Sequence, residues 1–129
     1  METKMKWAGY TLTTIFAIFM LGASVTPKLL GMAVAEETMQ ALGWPPGYAF
    51  TIGIMELAFL LLYLYPRTSL LGAVLFTGLL GGAMATQIRV DNPLFSHVLF
   101  GIYLGLLMWG GLWLRSAILR AYFPIRFGR

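Results

Sequence analysis

The sequence predicts an all-α integral membrane protein, a four-helix bundle running up-down-up-down. Three observations predict it. Of 129 residues, 59% are hydrophobic and only 11% charged, against about 45–50% and about 25% in soluble domains. Four apolar stretches each approach the roughly 20 residues, with a range of about 17–25, that an α-helix needs to cross a bilayer. The links between the second and third stretches, and between the third and fourth, are so short that neighbouring helices must run antiparallel. A soluble core of this composition would expose apolar patches far larger than the order of a few hundred Å² found on soluble monomers.

The elements follow in order. The spans are expected at about residues 7–25, 48–65, 70–88 and 94–114, with Pro27, Pro66 and Pro93 marking the places where a helix stops or starts. The first stretch lacks a small-x-small cleavage site and is long enough to remain in the bilayer, so it reads as a span rather than a cleaved leader. Between spans one and two, Met32, Ala35, Met39 and Leu42 recur at helical spacing, with Glu36 and Glu37 on another face. Gly43 then offers a stop, followed by Trp44-Pro45-Pro46. This link predicts a short amphipathic helix lying on or dipping into the outer interface. There is no internal repeat, and residues 1–129 read as a single transmembrane domain with a basic tail at 115–129. The tail's AYFPIRFGR is expected to sit on anionic headgroups.

An even number of spans puts both termini on one side. Lys4, Lys6, Arg67, Arg115, Arg120, Arg126 and Arg129 share that side, and only Lys28 and Arg89 lie opposite. The positive-inside bias makes the shared side cytoplasmic. Trp7, Trp44, Tyr63, Tyr65, Trp109 and Trp113 mark the interfaces, as aromatic belts do. With the positive residues flanking the spans, no basic surface is left for nucleic acid. The chain has no cysteine and one histidine. Disulfides, thiolate metal sites and iron–sulfur ligation by this chain are thereby excluded, as is a haem held by two histidines of one copy.

Inside lipid, helices associate through close packing at small residues. Gly78, Gly82, Thr86 and Arg89 form one stripe of span three; His97, Gly101, Gly105 and Met108 form one of span four; Gly53, Glu56, Leu60 and Tyr63 form one of span two. These faces are expected to look inward, and the glycine stripes would also permit a homodimer. At about 1.5 Å per residue, Glu56 lies about 12 Å inside span two, and Thr86, Gln87, Arg89 and His97 lie about one turn from the outer ends of spans three and four. Lys28, Ser24 and Thr26 close span one at the same level. An unpaired carboxylate in hydrocarbon costs several kcal/mol, so Glu56 must carry a proton or pair with His97 or Arg89. The segment QIRVDNPLFSH, residues 87–97, reads as the mouth of an outward-facing polar pocket. Asp91 and Asn92 would cap span four, and Asp91 would also hold Arg89. Each residue also has a plainer reading: Glu56 as interhelical glue, His97 as a helix cap, Arg89 as a snorkelling anchor, Thr86 and Gln87 as interhelical hydrogen bonders.

The KLLG after span one, GIMEL in span two, TQIRVDNPLFSH between spans three and four, and WGGLWLR near the end resemble the DoxX-like family of small bacterial membrane proteins. The distinctive parts are the Glu56 context and Arg89-x-x-Asn92-Pro93-Leu94-Phe95-x-His97. The resemblance implies a four-helix bundle in the bacterial cytoplasmic membrane. It also implies a link to membrane oxidoreductases, since the family's namesakes are associated with quinone-linked sulfur oxidation.

Two functions are compatible with the residues. In the first, the pocket binds a lipid-soluble molecule such as a quinone and the chain is accessory to a membrane redox system. Glu56 and His97 would meet the ligand head, with Arg89, Gln87, Thr86, Asn92, Asp91, Lys28 and Tyr63 lining the site. A membrane or peripheral redox partner would supply the electron carrier. In the second, the chain is a membrane-embedded enzyme with Glu56 as acid and His97 as base, isomerising, cyclising or opening an epoxide on an apolar substrate without a cofactor. No pair of ligands shows a metal-binding spacing such as H-x-x-x-H, so no metal site is expected.

Overall fold

The computed structural model describes residues 2–126. Helix α1 runs Glu2–Leu29, α2 Ala33–Ala41, α3 Tyr48–Leu64, α4 Ser69–Arg89, α5 Leu94–Arg115 and α6 Ala117–Tyr122. There is no strand among the described residues. Three of these helices, α1, α4 and α5, are long and apolar enough to cross a membrane. The apolar α3 has 17 residues and so reaches about 26 Å, slightly short of a hydrocarbon core of about 30 Å.

Helix α1 is longer than its sequence signals imply. Pro27 does not end it: the helix continues to Leu29. In a regular α-helix the Pro27 ring would clash with the carbonyl four residues back, and the missing N–H would leave a bond unmade. A π-helical segment at Met20–Val25 removes the conflict by widening the turn just before the proline, and the Thr26 N–H bonds to the Leu21 carbonyl. Helix α5 opens with a second π segment, Leu94–Val98, directly after Pro93.

Each neighbouring pair of long helices is antiparallel, as the contacts along them show. In α1 and α5, Gly9 lies beside Arg115 and Gly111, while Phe19 meets Phe100. In α1 and α3, Phe16 meets Tyr63 while Lys28 meets Gly53. In α3 and α4, Tyr63 lies against Gly72 while Phe59 meets Phe76. In α4 and α5, Thr77 bonds Trp109 while Met84 meets Gly101. Phe16 sits at the centre of the core, edge-on to Tyr63 and Phe76 at 5.6 and 5.3 Å between ring centroids. Leu60, Met20, Ala73 and Met108 fill the space around it.

The close helix contacts follow the expected glycine stripes only in part. A Cβ on Gly72 would stand 2.6 Å from the Tyr63 Cα, and one on Gly9 would stand 2.7 Å from the Gly111 carbonyl oxygen. Gly53 and Gly101 do lie against neighbouring helices, but Gly78, Gly82 and Gly105 have nothing within 4 Å of an added Cβ. Helix α4 carries small residues on several faces, so glycine spacing alone does not say which face turns inward. The buried residues of that helix are Ser69, Gly72, Ala73, Phe76 and Leu80.

Three turns close helices at the end of the molecule that carries the 30–47 and 90–93 links, and all three have one form. The residue after the helix adopts a left-handed conformation, and its N–H and the next one reach back to the last carbonyls. Gly31 (φ 66°) does this for α1, Gly43 (φ 91°) for α2, and Asp91 (φ 59°) for α4. Asp91 and Asn92 therefore close the end of α4 and do not cap the start of α5, where Pro93 is the cap residue and supplies no side-chain bond. The tail expected from 115 onward contains the helix Ala117–Tyr122, while its last three residues, 127–129 with Arg129, lie outside the described residues.

Candidate functional site

The densest polar cluster inside the helices joins α1 to α3. Glu56 is 6% exposed, and a buried carboxylate needs partners. It finds them one helix away. The Ser24 hydroxyl donates to Glu56 Oε2 at 2.7 Å. The Lys28 ammonium donates to Ser24 Oγ at 2.7 Å and stands 3.0 Å from Glu56 Oε1. Ser24 and Lys28 are four residues apart, so both project from one face of α1. The π segment that admits Pro27 ends between them. Gly53, one turn before Glu56, makes room for the lysine: an added Cβ there would stand 2.8 Å from the Lys28 Cβ.

The bonds form a chain of charge-assisted contacts, ammonium to hydroxyl to carboxylate. The serine gives its one proton to Glu56 and takes one from Lys28. The lysine is thereby aimed at Ser24, and its approach to Oε1 is close but not aligned as a hydrogen bond. Oε1 is buried and has no hydrogen-bond partner among the described residues. The site thus neutralises its charge internally while one carboxylate oxygen keeps accepting capacity. Lys28, with 18% of its side chain exposed against 8% for Glu56, forms the accessible edge.

The family model described as the DoxX-like family matches residues 2–111. The chain belongs to the DoxX-like family. Comparison with curated proteins and with solved structures finds no match. The DoxX-like match, together with the apolar helices, makes this a membrane protein. It takes in Ser24, Lys28 and Glu56 and stops before Arg115 and α6.

Of the residues expected to line one pocket in this DoxX-like protein, the structure joins Glu56 to Lys28 and places the others elsewhere. Glu56 pairs with Lys28, not with His97 or Arg89. His97 is exposed, and its Nδ1 meets the Ser96 hydroxyl at 2.8 Å. Arg89 donates to the Leu42 carbonyl at 2.6 Å and so holds the C-terminal end of α2; no ion pair joins it to Asp91. A cationic side chain there complements the negative end of the α2 dipole, and Gly43 leaves the space it occupies. Thr86 bonds back to the Gly82 carbonyl of its own helix at 2.9 Å. Gln87 and Asn92 bond each other through their side-chain amides. Tyr63 lies fully buried two turns further along α3, its hydroxyl donating to the Met108 carbonyl at 2.5 Å and lying 3.2 Å from Thr13 Oγ1.

Ser24 is the site residue that the sequence pattern does not single out. It stands at the expected level, but a helix ending at Pro27 conceals its i, i+4 relation to Lys28. Two shallow apolar concavities lie away from the cluster. One of about 200 Å³ runs between α4 and α5, past Thr77, Gly81, Met84, Gly101 and Gly105. The other, of about 360 Å³, lies between α5 and the segment after α6. Neither is lined by Glu56 or His97. No group of three or more His, Asp or Glu side chains able to hold a metal ion occurs among the described residues.

Proposed function

We propose that this DoxX-like protein is a four-span, up-down-up-down bundle of the bacterial cytoplasmic membrane with both termini in the cytoplasm. In this reading it binds the polar head of a lipid-soluble small molecule, of the quinone kind, at Lys28, Ser24 and Glu56, and serves a membrane redox system as an accessory component. The antiparallel contacts of the four long helices support the bundle, and the positive-inside bias of the basic residues supports its orientation.

The observation that carries the binding reading is Glu56 Oε1, a buried, charge-paired acceptor with no hydrogen bond of its own. An ionisable residue within a membrane helix marks a functional site by default, because its insertion cost is otherwise unrewarded. A quinol hydroxyl can donate to Oε1, and a quinone carbonyl can accept from Lys28, so the pair suits both redox forms of one head group. Electrons would come from a partner, since the chain lacks cysteine and has one histidine. The test is titration of short-chain quinones into the purified protein in lipid nanodiscs. Saturable binding that weakens in Glu56→Gln and Lys28→Met is expected. Binding that never saturates, or that is the same in all three proteins, overturns the reading. The acid–base enzyme alternative gains no support from the geometry, because His97 is exposed and has no bond to Glu56.

A further inference from the structure

At the other end of the molecule, the chain returns along α5 after Ser116. The Ser116 hydroxyl accepts from the Leu119 N–H and starts α6. The Trp113 indole N–H donates to the Phe123 carbonyl at 2.8 Å, and the Phe123 ring stacks on Trp109 with centroids 4.8 Å apart. The returning segment leaves a cleft of about 360 Å³ against α5, lined by Leu106, Trp109, Gly110, Trp113, Phe123 and Pro124. From Leu106 to Trp113 the groove follows about 10 Å of helix axis.

Its walls offer hydrocarbon and ring faces. The Trp109 N–H is engaged with Thr77 at 2.8 Å and the Trp113 N–H with Phe123, so neither indole has a donor left for a polar ligand. Beyond the mouth the surface changes sharply. Arg120 donates to the Trp113 and Leu114 carbonyls at 2.9 and 2.8 Å, lies over the Trp113 ring, and pairs with the Glu2 carboxylate at 2.7 Å. Arg126 is exposed, with its guanidinium over the Tyr122 ring. The same end carries Lys4, Lys6, Arg67 and Arg115, and Glu2 is its one acidic residue among those described. Ile118, Tyr122 and Ile125 stand exposed on the α6 side, Ile118 at 79%.

We propose that this cleft is a binding site for one anionic phospholipid, with an acyl chain along α5 and the phosphate at the exposed Arg126 on its rim. The apolar walls select a tail. The excess of positive charge at the mouth selects the sign of the head. Arg120, held by two helix-end carbonyls and matched by Glu2, braces the rim, and Arg126 meets the phosphate from the water side. This site is independent of the Glu56 cluster.

Quenching of tryptophan fluorescence by brominated lipids tests it, since Trp109 and Trp113 form the cleft walls. A Trp7→Phe/Trp44→Phe protein confines emission to those two, and the unsubstituted chain gives the same comparison over a background. In phosphatidylcholine vesicles, brominated phosphatidylglycerol should quench more than brominated phosphatidylcholine at equal mole fraction. Arg126→Gln should lower the preference roughly fivefold, the factor for about 1 kcal/mol of attraction per basic residue. Arg67→Gln, at the same end but away from the cleft, should leave it intact. Equal quenching by the two lipids would overturn the proposal in favour of undifferentiated bilayer lipid. An equal loss in Arg67→Gln would overturn it in favour of diffuse surface charge. No quenching by either lipid would mean that protein covers the cleft.

Discussion

The Lys28–Ser24–Glu56 cluster and the Arg115–Tyr63–Thr13 region both bring charged or polar groups inside the helices, two turns apart along α3, and they spend them differently. At Glu56, opposite charges on two helices stand 3.0 Å apart and a serine links them, yet one carboxylate oxygen keeps its hydrogen-bonding capacity. At Tyr63, the hydroxyl is committed to the Met108 carbonyl and the phenol is fully buried. Arg115 carries no ion-pair partner among the described residues. Its guanidinium lies over the rings of Tyr63 and Tyr10 at 5.4 and 5.6 Å, with Nε on the Gly111 carbonyl and Nη2 buried without an acceptor among the described residues. Ring faces attract the cation without a matching anion. The contrast lies in where the spare capacity falls: at Glu56 on a carboxylate beside the part-exposed Lys28, at Arg115 on a guanidinium nitrogen enclosed between ring faces.

The largest effect should separate the ion pair from its members. Lys28→Met or Glu56→Leu alone leaves a buried charge unmatched and should destabilise the protein by about 3–5 kcal/mol, whereas the double substitution should come close to the parent. Denaturant unfolding in detergent, followed by circular dichroism, measures this; additive losses would dissolve the pair as a unit. Next come the two helix crossings. Gly9→Ala meets backbone oxygen at the Arg115 end and should cost about 1–3 kcal/mol. Gly53→Ala meets side-chain atoms of Lys28 and Leu29 and no backbone, and should cost less while displacing the lysine, and Gly82→Ala, with open space around it, should be nearly silent in the same unfolding assay. Tyr63→Phe should cost about 1 kcal/mol, the worth of an ordinary hydrogen bond, and leave the proposed quinone binding unchanged. The smallest effect belongs to the exposed Arg89. Arg89→Ala should cost about 1 kcal/mol or less but speed hydrogen exchange of the Gly43 and Trp44 amides, which close α2.

Much of the fold was legible in the sequence because hydrocarbon imposes a coarse rule. Helices must be long, apolar and internally bonded, so Tyr48–Leu64, Ser69–Arg89 and Leu94–Arg115 begin and end within a residue or two of where composition puts them. The helix Ala33–Ala41 was legible too, from Ala35 and Met39, which pack with Ala49. The site was half legible. Depth picked out Glu56 and Lys28, but depth is one coordinate, and the direction in which a side chain leaves its helix is another. His97 and Arg89 lie toward the same end of the bundle as Glu56 and face elsewhere, Arg89 toward α2 and His97 toward Ser96. The π segment at Met20–Val25 was not legible at all, since no residue pattern distinguishes it from ordinary helix ending at a proline. It is also what extends α1 far enough to place Lys28 opposite Glu56.

The central claim is that the Lys28–Ser24–Glu56 cluster, and not an apolar groove, receives the ligand head. A photoreactive short-chain quinone analogue, cross-linked in nanodiscs and mapped by peptide mass spectrometry, tests it most directly. The label should fall on the stretches around Ser24–Lys28 and Gly53–Glu56, and labelling there should drop about tenfold in Glu56→Gln, the loss of a charged hydrogen bond. Labelling concentrated beside Gly101 and Trp109 in the α4–α5 groove, at a level indifferent to Glu56→Gln, would contradict it.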